Sequence, residues 1–599
     1  MDTVTHSTHD IESACTLLPD ILTALRRAAN SRTRVNSLPP EILLGVFALI
    51  PQPPELTVFD TVRSVCGPLN TRQVWELRAV TQVCHKWRSL ALTLSSLWSS
   101  AFRKPGYAAS RCGVIPNNPC YLSRCATGPI QIYVEEAGSI ISKWEPLSPF
   151  DAPQGYEGRV EELHVLTVDG WKHGFLPPSL SFPRMDSLQR LVVRSLHSGT
   201  IGTSSWQWHG LQPVFMGQTL TVRSLAIIDS PFLPSNPAPA LTHLVLFYDM
   251  KREMGETWSV YDLLHFLAAT PTLEEVVICG IQLGSRRTGS QPMVTAHLDN
   301  LRKLSIRGWD YLNPGSPGIP FLLLTHLVVP QRCYLRLDAD AIGEILMLAT
   351  YLRDRQWDVP ASNVHCVWAL SPYTMSSFQA TFPSFGGGVR VDFQTLQDPR
   401  SEEFVAALYA LLETPPFAAA QALWVSGPGI DKAYDTRITQ SPNVLFGVRS
   451  LYIANDPLHG AEPGQFIESL GMPVATSTPS QLPFPHLEKL YVTVYDRDSV
   501  EKLADMLRRR AASGCKVNQL LARYYAEVED DDEGAVVLGE LCSAVHGVVG
   551  EVTVLEENDY RKEYALRTVL PPICTLPRGG LIWPPWTENE TTFSLMHLT

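Results

Sequence analysis

The side chains that most often do chemistry are plentiful in this chain, but their spacing matches no reactive arrangement. The 599 residues include 12 cysteines and 16 histidines. Cys112, Cys120 and Cys125 have seven and four residues between them, unlike the paired C-x-x-C of structural zinc sites. Cys120–Cys125 reads instead as a short helix leading into the strand IQIYV. His243 and His326 each sit in a Leu-Thr-His-Leu sequence, where alternation directs them away from the apolar face as surface polar groups. The triplet Gly386, Gly387 and Gly388 lacks the following Lys-Ser/Thr of a phosphate cradle and reads as a turn. G-x-S-x-G, H-E-x-x-H, P-loop and dinucleotide-binding fingerprints are all absent from the sequence. The expectation is a protein with no catalytic residues, no metal site and no cofactor, and not an enzyme. Arg26/Arg27, Arg286/Arg287 and Arg508–Arg510 have the chemistry to pair with phosphate, but solvated helix faces and loops account for them more simply.

What remains is binding, and the residues best suited to it lie between 37 and 98. The segment SLPPEILLGVFALI starts a helix at Pro39 and Pro40, where the first-turn N–H groups have no intrahelical partner to lose. Glu41 in the first turn complements the helix dipole. Ile42, Leu43, Val46, Phe47 and Ile50 follow at the intervals of one apolar helical face. Gly45 in that interior costs about 1 kcal/mol, so packing must hold the helix. After a loosely patterned connection comes ELRAVTQVCHKWRSLALTLSSLW. Here Val80, Val83, Cys84, Trp87, Leu90, Ala91 and Leu94 recur every three or four residues, predicting a second helix. Lys86 and Arg88 flank its wet side, and Leu97 with Trp98 closes the unit.

In this order, Leu-Pro-Pro-Glu-Ile-Leu, Val-Cys-x-x-Trp-Arg and Leu-Trp resemble the F-box. The resemblance covers roughly 60 residues and departs from the usual pattern in two respects. The connection PQPPELTVFDTVRSVCGPLN is longer than usual, and His85 stands where arginine is frequent. Extended connections of this kind are a feature of the expanded F-box-like families of mushroom-forming fungi. The resemblance implies a Skp-family adaptor as partner. The adaptor-facing residues would be Leu38, Pro39, Glu41, Ile42, Leu43 and Phe47 from the first half, with Val83, Cys84, Trp87 and Leu90 from the second. Some of these would form the interface and some the module's own core.

Beyond this segment a unit Leu-x-x-Leu-x-Ile/Val recurs. It appears as LQRLVV (Leu188, Leu191), VRSLAI (Leu225), LTHLVL (Leu241, Leu244), LEEVVI (Leu273, Val276), LRKLSI (Leu301, Leu304), LTHLVV (Leu324, Leu327), VRSLYI (Leu451) and LEKLYV (Leu487, Leu490). Weaker copies lie at Leu163, Val367 and Leu423. From Leu191 to Leu327 successive copies are about 19 to 34 residues apart, bracketing the leucine-rich-repeat range. Helical segments with Gly or Pro stops lie between them, such as SVYDLLHFLAATP, SEEFVAALYALLETPP and SVEKLADMLRRRAASG. One strand and one helix cannot bury their own apolar faces, but stacked copies can. The expected fold class is α/β: a helical F-box-like module, then an irregular leucine-rich-repeat solenoid with parallel strands on a concave side. An ordinary α/β domain with buried parallel strands gives similar runs.

The layout expected is an N-terminal amphipathic segment at 1–34, the F-box-like module at 35–100, a connector at 101–125, the repeats at 126–570, and a Pro/aromatic-rich tail at 571–599. Within the repeats, 330–420 is the least regular stretch and the place for an insertion. Residues 10–30 form an amphipathic helix containing Pro19, either packed on the module or serving as an oligomerisation element. The tail reads either as an arm along the last repeats or as disordered chain. The acidic run Glu527–Glu533 reads as a loop tip.

A net charge of −12 and 18% charged residues imply no general affinity for nucleic acid or anionic membrane. No apolar run reaches the roughly 18–20 residues of a membrane span, and the first residues lack a signal-peptide pattern. Reduced cysteines and a cytoplasmic or nuclear location are the expectation. Architectures of this kind imply a substrate receptor of an SCF-type cullin–RING ubiquitin ligase, with an unknown protein substrate on the repeats. The alternative is a leucine-rich-repeat interaction scaffold with a degenerate F-box.

Overall fold

The structure, a computed structural model, describes residues 8–48, 79–103, 125, 128–137, 157–168, 180, 185–196, 211–228, 230, 232–247, 258–279, 283–284, 293–307, 319–339, 342–355, 365–370, 375–382, 387–394, 402–426, 446–454, 464–473, 481–494, 496–524 and 531–554. The chain is mixed α/β, and most of its strand pairs are parallel. It divides into two compact units, one drawn from Met1–Gly202 with Val214–Val222, the other from Thr203–Pro213 with Arg223–Leu576. The division falls inside the 126–570 segment. The long connection after Ile50, Gly386, Arg286/Arg287, Glu527–Asp530 and the tail lie outside the described residues.

In the first unit, α1 (Thr8–Ser31) carries Pro19 in its interior, as the amphipathic pattern predicts. A 3-10 turn at Arg34–Ser37 leads to α2 (Pro40–Ala48). Residues 79–83 are helical, Cys84 is extended, and α3 runs His85–Thr93. Four parallel strands follow in this unit: β1 (Ser100–Arg103), β2 (Ile130–Ala137), β3 (Val160–Val168) and β4 (Arg190–Leu196). Side chains alternate across the pleat, so Ile132, Leu163 and Leu191 line up on one face while Gln131, Glu162 and Arg190 line up on the other. Cys125, the described member of its cysteine group, is buried outside any helix, and its carbonyl accepts from Arg159 Nη2 at 2.7 Å.

The second unit is built on β5 (Ser224–Ile228), β6 (His243–Phe247), β7 (Glu275–Cys279), β8 (Lys303–Arg307) and β9 (Tyr334–Ala339), paired in parallel in that order. It continues through β10 (His365–Leu370), β11 (Met375–Phe382) and β12 (Gly387–Gln394) to β13 (Ala422–Ser426), β14 (Ser450–Ala454), β15 (Lys489–Val494), β16 (Gln519–Tyr524) and β17 (Glu551–Val554). From β13 to β17 every pairing is parallel and sequential. Between β9 and β13 the order reverses. β9 pairs with β12, β12 lies antiparallel to β11, β11 antiparallel to β10, and β10 parallel to β13. Within 330–420, then, one antiparallel strand is built into an otherwise parallel run of strands. Gly387 and Gly388 open β12 opposite Phe382 and Thr381, so they belong to a strand and not to a turn.

A repeated turn sets the strand spacing. Leu188, Leu241, Leu273, Leu301, Cys333 and Leu487 each donate their N–H three residues back, and each is buried just ahead of its strand. The next residue's N–H reaches the turn before the preceding strand, as in Glu274 to Thr242, Arg302 to Glu274 and Tyr334 to Arg302, each at 2.8 Å. Small polar residues beside the turn add further bonds to the neighbouring turn's carbonyls, including Thr272 Oγ1 to Pro239 and Leu241 and Asn300 Nδ2 to Pro271.

The apolar side of this sheet carries Leu225, Leu244, Val276, Leu304 and Leu335 at one level, all buried. Connecting helices include α4 (Val260–Ala268), α5 (Ile319–Thr325), α6 (Ile342–Asp354), α7 (Glu402–Leu412), α8 (Gly464–Ser469), α9 (Arg497–Ala512) and α10 (Asp531–Ala544). α9 starts on a capping box in which Asp496 Oδ1 accepts the Ser499 N–H at 2.8 Å, and Gly514 at φ +78 follows its end. Asp531–Glu533 lie in the first turn of α10 and not in a loop tip.

Arg510 on α9 is fully buried and not on a solvated face. Its guanidinium donates to the carbonyls of Leu470, Pro483 and Phe484 at 2.9, 2.7 and 2.7 Å. Phe484 holds the left-handed φ of +46, and this bond ties that backbone down.

Candidate docking surface

The residues singled out between 38 and 90 do come together, and the structure sorts them into two sets. α2 packs on α3 and on the 3-10 turn Ser95–Trp98. Leu43 is 1% exposed and Phe47 0%. The Phe47 ring meets the half-buried Trp87 ring at 5.1 Å between centroids, tilted by 59°. Leu90 is half-buried and Ala91 fully buried on α3. The buried Trp98 donates Nε1–H to the Ala91 carbonyl at 2.8 Å, so Leu97 and Trp98 do close the unit. These side chains form the module's own core.

The other set faces water. Ile42 is 53% exposed and Val46 48%, each one residue ahead of a buried neighbour. Leu38, Pro39 and Glu41 are exposed beside them, and Val83 is 52% exposed. The single apolar face expected of the first helix is thus two faces. One is buried at i and i+4 by Leu43 and Phe47, and the other is left open at i and i+4 by Ile42 and Val46.

The expected continuous second helix is broken at Cys84, and the break has a use. Cys84 adopts φ −158 and ψ 170, and its sulfur accepts the Trp87 N–H at 3.5 Å as the N-cap of α3. The Cys84 thiol also lies 3.8 Å from Asn36 Oδ1. Lys86, which the pattern places on the wet side, turns inward: its Nζ donates to the carbonyls of Asn36 and Leu38 at 2.6 and 3.1 Å. Asn36 is buried and donates Nδ2 to Asn30 O and Thr33 Oγ1, both at 2.7 Å. The start of α3 is thereby fastened to the approach of α2, which fixes Leu38 and Pro39 at the surface. Asn36 and Lys86 give no apolar signal in the sequence, which is why pattern reading misses them. Val46 was legible as Ile42 plus four.

A second surface lies on the strand face opposite the leucines. Lys303 Nζ meets Glu275 Oε1 at 2.7 Å across β8 and β7, and Arg336 and Arg390 are buried as register partners on β9 and β12. Further along, Tyr452 stacks on Tyr491 at 4.3 Å, with Lys489 Nζ 5.0 Å from the Tyr491 centroid. His243 belongs to this face, half-buried, with Nδ1 2.8 Å from Thr242 Oγ1. His326 lies in a turn at the end of α5.

Among the described residues, no group of three His, Cys, Asp or Glu is placed to hold a metal ion, and no helix is long and apolar enough to cross a membrane. No family model matches the chain, and no curated protein is significantly similar to it.

Proposed function

We propose that the chain is a non-catalytic substrate receptor of an SCF-type cullin–RING ubiquitin ligase. In this reading residues 35–100 form an F-box-like module that docks a Skp-family adaptor, and the repeated strands within 126–570 form an irregular leucine-rich-repeat solenoid that holds a protein substrate. The reading extends to a cytoplasmic or nuclear protein that engages neither nucleic acid nor membrane. The observation that carries it is the division of α2, where Leu43 and Phe47 are buried while Ile42 and Val46 stand in water, as do Leu38 and Val83. A cluster of aliphatic side chains held at the surface by a rigid two-helix frame is the form an obligatory docking site takes. The parallel strands with their repeated turn offer a broad polar and aromatic face suited to a protein ligand. Ubiquitin transfer would occur on other subunits, and this chain would act by raising the substrate's local concentration.

The test is co-purification of the full chain with a Skp-family adaptor and cullin. Wild type should recover both. Leu38→Ala with Pro39→Ala, and separately Ile42→Ser with Val46→Ser, should recover neither while the circular dichroism spectrum is unchanged. Wild type that brings down other proteins without adaptor or cullin would overturn the receptor reading in favour of the scaffold with a degenerate F-box.

A further inference from the structure

Helix α1 carries a second exposed apolar face, separate from the docking patch. Leu17, Leu18, Ile21, Leu22 and Leu25 are 58, 56, 55, 46 and 61% exposed. A 24-residue helix with a proline in its interior is marginal alone in water, and helices of this kind draw their stability from burying such a face. The sequence spacing names the kind of burial. Positions 11, 14, 18, 21, 25 and 28 are apolar, alternately three and four apart, which is the a/d rhythm of a helix pair. Leu17 and Leu22 widen the stripe on its two flanks, and Pro19 falls on the polar side, where it does not interrupt it.

Size and charge along the stripe are self-complementary in one orientation. With position 18 of one helix level with position 21 of an antiparallel copy, position 14 meets 25 and position 11 meets 28. Every layer then sets Ala against Leu or Ile, or Leu against Ile. The same orientation brings the acidic end, Asp10 and Glu12, alongside the basic end, Arg26 and Arg27. A parallel pair would instead stack Ala14 on Ala14 and bring Arg26 and Arg27 together with their copies. We infer that α1 is a dimerisation helix that pairs antiparallel with α1 of a second copy of this chain. The pairing is independent of the adaptor reading, because it uses none of the side chains around Ile42.

The mass of the full chain in solution tests this, by light scattering and sedimentation at micromolar concentration. Wild type should run as a dimer, twice the 66.5 kDa of one chain. Leu18→Asp with Ile21→Asp should run at 66.5 kDa. Wild type that is monomeric or a higher oligomer, or a double variant that stays dimeric, overturns the inference. A second pair of variants avoids the apolar stripe, so that folding is not in question. Arg26→Glu with Arg27→Glu should dissociate about tenfold more readily, and adding Asp10→Lys with Glu12→Lys should restore wild-type affinity. Failure of the combined reversal to restore the dimer overturns the antiparallel arrangement.

Discussion

In helix α2 neighbouring residues part company: Leu43 and Phe47 are buried against α3, while Ile42 and Val46 stand half in water. The row of strands from β5 to β9 behaves differently. There the leucine row from Leu225 to Leu335 is wholly buried, and on the opposite face side chains pair with each other, Lys303 with Glu275 and Tyr452 with Tyr491. An apolar side chain left in water beside a buried twin contributes little to folding and leaves its burial to a partner. A polar side chain already paired with its neighbour is satisfied in the free protein. The apolar area left uncovered therefore lies in the helical module, while the strand face is largely satisfied within itself.

The comparison can be broken at four places. Phe47→Ala should have the largest effect, destabilising the module by about 3–5 kcal/mol through the cavity opened against Trp87, measured by denaturant titration of tryptophan fluorescence. A loss below about 1 kcal/mol would mean that the buried face of α2 does not hold the module. Arg510→Met should come next, at about 3 kcal/mol, because three buried carbonyls lose their donor. Arg510→Lys should recover only part of this, since one ammonium cannot span all three acceptors. Hydrogen exchange across 464–512 would report it, and unchanged protection would remove the residue from the account.

Ile42→Ser with Val46→Ser should move thermal stability by less than about 0.5 kcal/mol, as surface changes do. The same pair should weaken adaptor binding at least tenfold, about 1.4 kcal/mol. The smallest effect is expected at Glu162 on β3. Burial would raise its pKa, but the hydrogen bond with His164 at 2.5 Å and the charges of His164 and Arg190 outweigh burial and hold it below the ordinary 4.5. The unfolded chain therefore takes up this proton first. The stabilisation is complete above pH 4.5 and is lost as pH falls through the lower folded value. Glu162→Gln should flatten that part of the acid-unfolding curve, and an unaltered curve would show that the pair does not matter to stability.

How far the sequence could be read is clearest in one peptide that occurs twice. LTHLV at 241–245 enters β6, with Leu241 in the turn and Leu244 in the buried row. LTHLV at 324–328 ends α5 and forms only a two-residue bridge to Ala296–His297; the strand of the main sheet there is β9, YLRLDA. The local pattern was identical, and the difference lies upstream, in whether a helix or an extended approach delivers the peptide. The helices at 260–268, 402–412 and 497–512 were legible because apolar spacing and stop signals are local. The antiparallel β11, the cap at Cys84 and the buried Arg510 were not. The last two depend on partners far along the chain, such as Leu470 for Arg510 and Asn36 for Cys84, and β11 is defined only once the strands on both its sides are in place. The docking residues were named together from their order in the motif. Dividing them into core and surface needed the rotation of α2 about its axis, which periodicity alone does not fix.

The central claim, that the exposed half of this module is an adaptor site, is tested most directly by calorimetric titration of the purified full chain with a purified Skp-family adaptor. The account predicts saturable one-to-one binding by wild type, and at least tenfold weaker binding by Ile42→Ser with Val46→Ser at unchanged melting temperature. No heat of binding with wild type, or equal affinity for both proteins, would contradict it.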